Sequence, residues 1–306
     1  MTVTRSNRCS EPGLDRFAFG RNWTSFLAVV DEPAVAAAEQ ALCDLLQVES
    51  LAGRTFLDVG CGSGLSSLAA RRLGAKVHSF DFDADSVSTT RRLKDRFAPD
   101  DSDWRIEHGS ALDSTYLEGL GTWDVVYSWG VLHHTGAMWN AINLVSDRVA
   151  PGGLLALAIY NDQGFQSRIW HLIKRAYVKV PALRPLLVAA SAPALWGPSL
   201  VKASLSLQLG QWWAGYKRER GMSRWHDLLD WVGGYPFEVA SVESIDRYCS
   251  DRGFAVEKVI RTSRLGCNQF SFRRRVLPAP SHAAATPDIS LTRCRKPRHL
   301  AQSAPR

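Results

Sequence analysis

Leu57-Asp58-Val59-Gly60-Cys61-Gly62-Ser63-Gly64 is a short apolar strand that runs directly into three glycines at alternate positions. Apolar residues at helical spacing follow it and predict a helix over residues 65–73. Glycine allows a tight turn, and it lets the backbone approach a ligand where a Cβ atom would stand in the way. A strand, a glycine turn and a helix in this order are typical of a site that cradles a nucleotide cofactor.

A second predicted strand supports this interpretation. It covers residues 75–80 and leads into Asp81, which lies 21 residues after Gly60. A carboxylate at this spacing suits the two hydroxyls of a ribose. The glycine pattern is G-x-G-x-G, whereas a dinucleotide site normally uses G-x-G-x-x-G to hold its pyrophosphate. Asp58 precedes the first glycine, and an acidic loop suits a cationic ligand that carries no phosphate.

Five segments, taken in chain order, resemble the motifs of class I S-adenosylmethionine-dependent methyltransferases. The likeness is dense over residues 50–162 and looser over residues 243–275. It is carried by residues 57–64, 77–81, 107–112, 123–134 and 149–159. Five motifs in the right order are far more specific than a single glycine loop.

The resemblance implies S-adenosylmethionine as the cofactor. It assigns residues 57–64 to the loop under the ligand, Asp81 to the ribose and the segment at Ser110 to the adenine. The family often has an Asp or Asn near Ser110, whereas position 110 itself is a serine in this chain. The cofactor-binding residues that the resemblance implies are Asp58, Gly60, Gly62, Gly64, Asp81, Ser110, Ala111 and Ser128.

The order of predicted elements indicates an α/β fold. Strands alternate with helices up to residue 162, which favours a parallel sheet covered on both faces. The resemblance implies a Rossmann-like sheet of seven strands, mostly parallel with an antiparallel last strand, and a helical lid insertion over residues 163–240. The methyltransferase domain is predicted to cover residues 16–275. Residues 1–15 and the basic tail 276–306 are predicted to be disordered because of their composition.

Composition bounds the function. The chain has 306 residues and a net charge of +7, of which the tail supplies five cations against one aspartate. No nucleic-acid-binding motif accompanies this charge, so a nucleic-acid partner is not predicted. The six cysteines form no C-x-x-C pair. We therefore predict no metal site and no disulfide framework, and a reducing, cytoplasmic location without a signal peptide.

The predicted insertion holds six of the eleven tryptophans. Residues 221–238 combine glycine pairs, aromatic residues and charges, which predicts a structured loop that presents side chains. This stretch resembles a signature of a subgroup of bacterial methyltransferases. The alternative is a small helical subdomain that uses its aromatic residues as a core. The candidate acceptor-binding residues are Trp23, His134, Trp231 and Tyr235.

Two features of the insertion bear on membranes. Residues 165–180 form a basic amphipathic pattern, and residues 185–201 contain no charged residue. Pro193, Gly197 and Pro198 interrupt that uncharged run and disfavour a membrane-spanning helix. Two interpretations stay open: a pair of lid helices buried on the domain, or peripheral contact with a membrane through residues 165–201.

The expected chemistry is in-line displacement of a sulfonium methyl group by an oxygen of a small-molecule acceptor. The leading acceptor is a phenolic, quinol-like or sugar hydroxyl in a biosynthetic pathway, because the chain broadly resembles quinone-biosynthesis O-methyltransferases. Such a hydroxyl needs a base. His133, at the exit of the fourth predicted strand, is favoured over His226 in the insertion, and His134 is interpreted as a packing histidine.

Other functions stay open at this point. An N- or C-methyltransferase fits the cofactor half equally well, although the [DNS]-P-P-[YFW] tetrapeptide of DNA N-methyltransferases is absent and residues 128–131 read Ser-Trp-Gly-Val instead. A nicotinamide oxidoreductase or a non-catalytic cofactor-binding partner is less favoured. The sequence predicts neither the identity of the acceptor nor an oligomeric state.

Overall fold

The computed structural model describes residues 17, 19, 20, 23, 27, 30–206, 210, 224–263 and 265–276, without the side chains of residues 198, 199 and 226. Segments 1–15 and 277–306, for which disorder is predicted, and the side chain of the candidate base His226 lie outside this part of the chain. The domain limits 16–275 and the insertion limits 163–240 stay predictions.

Seven strands form one sheet. They are β1 Thr55–Val59, β2 Lys76–Asp81, β3 Trp104–His108, β4 Trp123–Trp129, β5 Val149–Tyr160, β6 Phe254–Ile260 and β7 Cys267–Arg274. Their order is β3-β2-β1-β4-β5-β7-β6, and β7 runs in the opposite direction to the other six strands. The prediction of a mostly parallel, Rossmann-like sheet of seven strands is confirmed. Because β1 lies between β2 and β4, the strand order reverses there and opens a crevice at the carboxyl ends of β1 and β4.

Helices connect the strands. In chain order they are α1 Glu32–Leu46, α2 Leu65–Arg72, α3 Ala84–Phe97, α4 Ser114–Gly119, α5 Met138–Ser146, α6 Phe165–Lys179, α7 Arg184–Leu205, α8 Arg224–Gly233 and α9 Val242–Ser250. Short 3-10 turns cover Leu132–His134 and Pro181–Leu183. Hydrogen bonds from main-chain N–H groups to the side chains of Asp31, Asp83, Asp113 and Ser241 mark where four of the helices begin.

The sheet has a hydrophobic core on each face. In β1, Phe56 points into the core formed with α1, α2 and α3, whereas Leu57 and Val59 point into the core formed with α4, α5 and α9. This alternation follows from the two-residue period of a strand. Since both faces are covered, the edge formed by the strand ends is the part of the sheet that stays open to a ligand.

The helices α6, α7 and α8 form a unit that we call the helical insertion. Its own core contains Trp170 of α6, Val188 of α7, and Leu228 and Val232 of α8. The sequence prediction of a structured loop over residues 221–238 is wrong for residues 224–233, which are helical. Leu228 and Val232 are four residues apart and both are buried, so packing of one helical face outweighs the unfavourable local composition.

The helices of the described residues are individually too short or too polar to cross a membrane. The pair formed by Phe165–Lys179 and Pro181–Gly197 meets the length and composition criteria only when both parts are taken together, and it is bent by 116° at the break.

Lys174 is a fully buried lysine in the core of the helical insertion. Its Nζ donates a hydrogen bond to the main-chain carbonyl of Trp231, and lies 4.5 Å from the centroid of the Trp231 ring and 4.8 Å from that of Phe237. The accepting carbonyl belongs to the last turn of α8, where the helix dipole favours a cation. Burial lowers the pKa of the Lys174 amine to about 7, and the negative charge of Asp230 opposes this shift.

We expect Lys174→Met to change how stability depends on pH. The unfolded amine, with a pKa of roughly 10.4, binds a proton that the folded amine releases above about pH 7. Between these two pKa values, the contribution of Lys174 to the free energy of unfolding therefore rises with pH. Relative to the variant, the free energy of unfolding of the wild type should increase by about 1.4 kcal/mol per pH unit. Denaturant titrations at several pH values measure this difference.

The matched control is Lys179→Met, which removes an exposed lysine from the same helix. Its difference from the wild type should stay constant over the same pH range. A Lys174→Met difference that is equally constant would show that the Lys174 amine does not titrate in this window.

Candidate active site

The glycine loop between β1 and α2 is fixed by one carbonyl of the neighbouring strand. The N–H groups of Gly60 and Cys61 both donate to the carbonyl oxygen of Phe80, at 2.9 and 3.1 Å. Gly60 has a φ of +79°, and a Cβ atom there would lie 2.4 Å from Cγ1 of Val131. The loop therefore lies between β2 and the exit of β4, and a side chain at Gly60 would disrupt both.

Trp23 lies against this loop. A Cβ atom on Gly62 would meet the Trp23 indole at 3.2 Å. Nearby, the N–H of Gly20 donates to Oδ2 of Asp83 at 2.9 Å, so the chain before α1 is attached beside the end of β2. The sequence predicted Trp23 as an acceptor-binding residue, whereas the structure places its ring on the cofactor loop.

Asp81 joins the end of β2 to the glycine loop. Its Oδ2 accepts a hydrogen bond from the Gly62 N–H at 2.9 Å, and its Oδ1 accepts one from the Asp83 N–H at 2.8 Å. Burial raises the pKa of the Asp81 carboxyl to about 6, against the lowering effect of these two hydrogen bonds. An ionised carboxylate has roughly four acceptor sites, so two acceptor positions are left for ribose hydroxyls.

Asp58 lies deeper, behind the loop. It is 2% exposed, and its carboxylate accepts a hydrogen bond from the Ser67 hydroxyl. Ser67 also bonds Ser79, whose hydroxyl accepts from the Trp104 indole N–H at 2.8 Å. Burial is the main cause that raises the pKa of Asp58 to about 7. The sequence predicted that Asp58 contacts the cofactor. In the structure its carboxylate is not open to a ligand, because it takes part in this hydrogen-bond network, which joins β1, α2 and β2.

Ser110, Ala111 and Ser128, the other predicted cofactor residues, lie at the same edge of the sheet. The Ser110 hydroxyl accepts from the Leu112 N–H at 3.2 Å and shapes the turn after β3, where Ala111 is buried. Ser128 is 1% exposed, and its hydroxyl donates to the carbonyl of Val59 at 3.0 Å. Ser128 thus supports the start of the glycine loop from behind rather than presenting a free hydroxyl.

The two histidines at the exit of β4 have different surroundings. His133 is fully buried, with its ring centroid 4.0 Å from that of Tyr160. Burial, followed by the nearby His134 and Lys174, lowers the pKa of His133 well below its usual value. His133 was the preferred base in the sequence analysis, but its ring has no access to an acceptor in this structure. The 3-10 turn rotates it inward, an effect that the adjacency of two histidines in sequence does not reveal.

His134 is partly exposed and has a fixed orientation. Its Nδ1 lies 2.6 Å from the carbonyl oxygen of Pro236, which can only accept, so Nδ1 carries the proton. Nε2 is then the basic nitrogen. Burial is the main cause that lowers the pKa of His134 to about 3, and the positive charge of Lys174 contributes. The imidazole is therefore neutral at ordinary pH.

Aromatic side chains surround His134. The ring centroids of Phe19 and Tyr160 lie 4.8 and 5.4 Å from that of His134. A Cβ atom on Gly234 would come within 3.2 Å of both Phe19 and His134, so glycine is needed for this close approach. The N–H of Phe17 donates to the carbonyl of Tyr235 at 3.0 Å. These contacts bring the start of the chain, the exit of β4 and the loop after α8 together.

Trp231 and Tyr235, the two remaining predicted acceptor residues, face the helical insertion. The Trp231 ring packs between Tyr160 and Trp170, at centroid distances of 5.3 and 5.6 Å. The Tyr235 ring lies 5.8 Å from that of His171. Both side chains contribute to packing within the insertion, and the main chain between them reaches His134.

The sequence analysis missed Phe19, Tyr160 and Lys174. The signal for Lys174 was present, since it lies four residues after Trp170 on the face of α6 that is buried. Phe19 carried no periodic signal, because its role depends on contact with a residue more than a hundred positions away.

Comparison with known proteins agrees with this geometry. The family model described as "Methyltransferase domain" matches residues 35–259, which is well over half of the chain. The chain belongs to this family of class I methyltransferases. Its cofactor is S-adenosylmethionine.

Two curated relatives each match part of this methyltransferase chain. An uncharacterized methyltransferase of Mycobacterium tuberculosis is 32% identical over 122 residues, covering 40% of this chain and 58% of the relative. A ubiquinone biosynthesis O-methyltransferase of Xanthomonas campestris is 32% identical over 112 residues, covering 37% of this chain and 45% of the relative. The chain thus spans about half of the length of the curated relatives that it matches.

Among solved structures, an O-methyltransferase family protein from Burkholderia thailandensis aligns with a TM-score of 0.49 and 15% identity. The alignment covers 80% of this chain and 56% of that chain.

The residues of the methyltransferase loop fit its cofactor. Gly60 and Gly62 allow Val131 and Trp23 to pack directly against the loop. Asp81 keeps free acceptor positions at the place where ribose hydroxyls are expected. Above its pKa of about 6, the Asp81 carboxylate also places a negative charge beside the loop, which suits a cationic ligand.

We expect the affinity for S-adenosylmethionine to fall as the pH drops below about 6, the pKa of the Asp81 carboxyl. Protonation of the Asp81 carboxylate places a hydrogen on one of its oxygens, so this group can accept fewer hydrogen bonds from the ribose hydroxyls. The binding constant should decrease about tenfold per pH unit below this value, as linkage requires for one proton. Calorimetric titration with the cofactor over this pH range measures the effect.

Asp81→Asn should bind S-adenosylmethionine weakly, and its binding constant should no longer decrease as the pH falls below about 6. Asp95→Asn, which changes an exposed carboxyl on α3, is the matched control and should behave as the wild type. A wild-type affinity that does not change between pH values above and below the Asp81 pKa would contradict a role of its carboxylate at the ribose.

Proposed function

We propose that this methyltransferase transfers the methyl group of S-adenosylmethionine to a hydroxyl oxygen of a small aromatic or apolar acceptor, such as a phenolic or quinol-like compound in a biosynthetic pathway. The observation that carries the proposal is the oriented, neutral His134 at the exit of β4. A hydroxyl nucleophile must lose its proton as it is methylated, and His134 offers a basic nitrogen for this purpose.

The orientation of His134 supports this role. The hydrogen bond from Nδ1–H to the Pro236 carbonyl fixes the tautomer and leaves the lone pair on Nε2. The pKa of about 3 keeps that lone pair unprotonated at any ordinary working pH. A neutral imidazole also avoids repulsion between two cations when the sulfonium is bound close by.

The chemistry then requires alignment more than strong basicity. The bound cofactor supplies an activated methyl group on a good leaving group. The acceptor hydroxyl donates a hydrogen bond to Nε2 of His134, which aims an oxygen lone pair at the methyl carbon. The C–O bond would form as the bond between the sulfonium sulfur and the methyl carbon breaks, so that S-adenosylhomocysteine leaves with the electron pair. The hydroxyl proton would become strongly acidic and move to Nε2 of His134. The low pKa of His134 then favours rapid release of this proton to solvent.

The surroundings of His134 favour a planar or apolar acceptor. The ring centroids of Phe19 and Tyr160 lie 4.8 and 5.4 Å from the centroid of the imidazole. Such walls exclude water and offer stacking to an aromatic ring. The Xanthomonas relative is named for O-methylation in ubiquinone biosynthesis, which also supports an oxygen acceptor of this class.

We expect His134→Ala to lower kcat by roughly 100- to 10,000-fold, the usual contribution of a general base. The affinity for S-adenosylmethionine should change little, because among the described residues the hydrogen bonds and ring contacts of His134 go to residues outside the glycine loop. The measurement is formation of S-adenosylhomocysteine with a panel of phenols, catechols and amines, combined with cofactor titration.

His171→Ala is the matched control. His171 also bonds a main-chain carbonyl of the same loop, that of Phe237 at 3.1 Å, but it belongs to α6 of the insertion. This variant should retain most of the wild-type turnover. Normal turnover of His134→Ala, together with loss of turnover in His133→Ala or His226→Ala, would overturn the assignment of the base. Turnover of amines alone would overturn the proposed oxygen acceptor.

A further inference from the structure

The helices α6 and α7 have an apolar outer surface in addition to their buried inner faces. The side chains of Phe165, Leu172, Leu186, Val201 and Leu205 are 74%, 62%, 65%, 59% and 83% exposed. Single exposed apolar residues are normal in proteins, but large side chains exposed on successive turns of two consecutive helices are not. We call the outward side of α6 and α7 the outer face.

The outer face is not the result of loosely packed helices. Trp170 of α6, and Val188 and Ala203 of α7, are each at most 8% exposed, so both helices bury an inner face against the rest of the molecule. On α6, the exposed residues Phe165, Ile169 and Leu172 follow the spacing of three to four that places them on one side. Each helix therefore has a second apolar side for which the described residues offer no cover.

The charges of this region are all of one sign. Residues 163–206 contain six lysines and arginines and no aspartate or glutamate. Lys174 is buried, and the other five are exposed: Arg168, Arg175, Lys179, Arg184 and Lys202. Among the described residues, none of these five forms an ion pair with a carboxylate. The outer face thus combines exposed apolar side chains with unpaired positive charge.

The arrangement along α7 indicates which surface would cover it. Its uncharged run is bounded by Arg184 and Lys202, about 27 Å apart at 1.5 Å per residue. A helix that lies in a membrane interface buries its apolar side chains among acyl chains, while long basic side chains at its ends reach the headgroups. An apolar groove of about 330 Å³, lined by Ile169, Ile173 and Leu187 among others, also opens between α6 and α7.

We propose that the outer face of α6 and α7 docks on a lipid bilayer that contains anionic headgroups. Charge complementarity favours this occupant over a second copy of the chain. A symmetric dimer would place the same patch of both copies together, and five exposed cations of one copy would then face five of the other. Anionic lipid instead neutralises each of them. This docking is independent of the nature of the methyl acceptor.

The test uses the full chain and vesicles of two compositions. One is pure phosphatidylcholine, and the other is a mixture of phosphatidylcholine and phosphatidylglycerol. Co-sedimentation should show binding to the anionic vesicles, much weaker binding to the neutral ones, and a decrease with added salt. Neither S-adenosylmethionine nor an acceptor is needed, so this result does not depend on the proposed reaction.

Two sets of variants probe the two properties of the outer face. Arg175→Gln with Lys179→Gln should lower the partition constant on anionic vesicles roughly 25-fold, because each basic residue near such a surface contributes about fivefold. Leu186→Ser should lower the partition constant by at least about tenfold, because the variant loses the free energy gained by transferring a leucine side chain from water to the acyl chains. These side chains are exposed, so thermal unfolding and cofactor affinity should stay as in the wild type.

Control variants change similar residues elsewhere. Val256→Ser removes a side chain that is 47% exposed on β6, and Arg91→Gln removes an exposed cation of α3. Both should bind anionic vesicles as the wild type does. Equal binding of all variants, or absence of binding to anionic vesicles, would overturn the proposal. So would concentration-dependent self-association in sedimentation velocity that Leu186→Ser abolishes while vesicle binding is absent, since the occupant would then be a second copy.

Discussion

The structure depends on the carbonyl oxygen of Phe80, which accepts hydrogen bonds from both Gly60 and Cys61. This pair of bonds turns the chain sharply at the end of β1 and sets the glycine loop against β2. Asp81, the next residue, then accepts a hydrogen bond from the Gly62 N–H and so holds its carboxylate beside the loop. On the other side, Val131 occupies the space that a side chain at Gly60 would fill. The loop therefore has one conformation, defined by its neighbours on both sides.

The second constraint is the connection between the helical insertion and the exit of β4. The N–H of Glu238 donates to the carbonyl of His133 at 3.0 Å, and its carboxylate accepts from the N–H of Met138 at the start of α5. Pro236, two residues earlier, orients His134 through its carbonyl. Pro236 and Glu238, which belong to the signature stretch 221–238, thus contact the exit of β4 largely through main-chain atoms. A substitution that displaces this loop is expected to affect the histidine before it affects any direct contact with an acceptor.

The helical insertion differs from the rest of the molecule in the way its charges are placed. Within its core, Lys174 bonds the end of α8 and lies against aromatic rings, which partly offset the cost of burying an amine. Outside, the exposed cations of α6 and α7 flank apolar side chains with no acidic residue in between. Both features come from the same basic sequence. The helical period separates them, since residues at positions 170 and 174 face inward and those at 168, 172 and 175 face outward.

The sequence alone indicated an α/β fold and a glycine loop that suits a nucleotide cofactor, because these depend on short-range patterns: alternating glycines, strand periodicity and the spacing from Gly60 to Asp81. The seven strands and S-adenosylmethionine were implied by the resemblance of five ordered motifs to a known family. The alternation of strands and helices indicated a mostly parallel sheet, whereas the order of its strands is seen only in the structure. Only the tertiary structure separated the surroundings of His133 and His134, which share one 3-10 turn: His133 is fully buried, whereas His134 is partly exposed and bonded to the Pro236 carbonyl. It also showed that residues 224–233 are helical and that Ser128 and Asp58 support the loop from behind. Such roles depend on contacts between distant segments, which local sequence patterns do not encode.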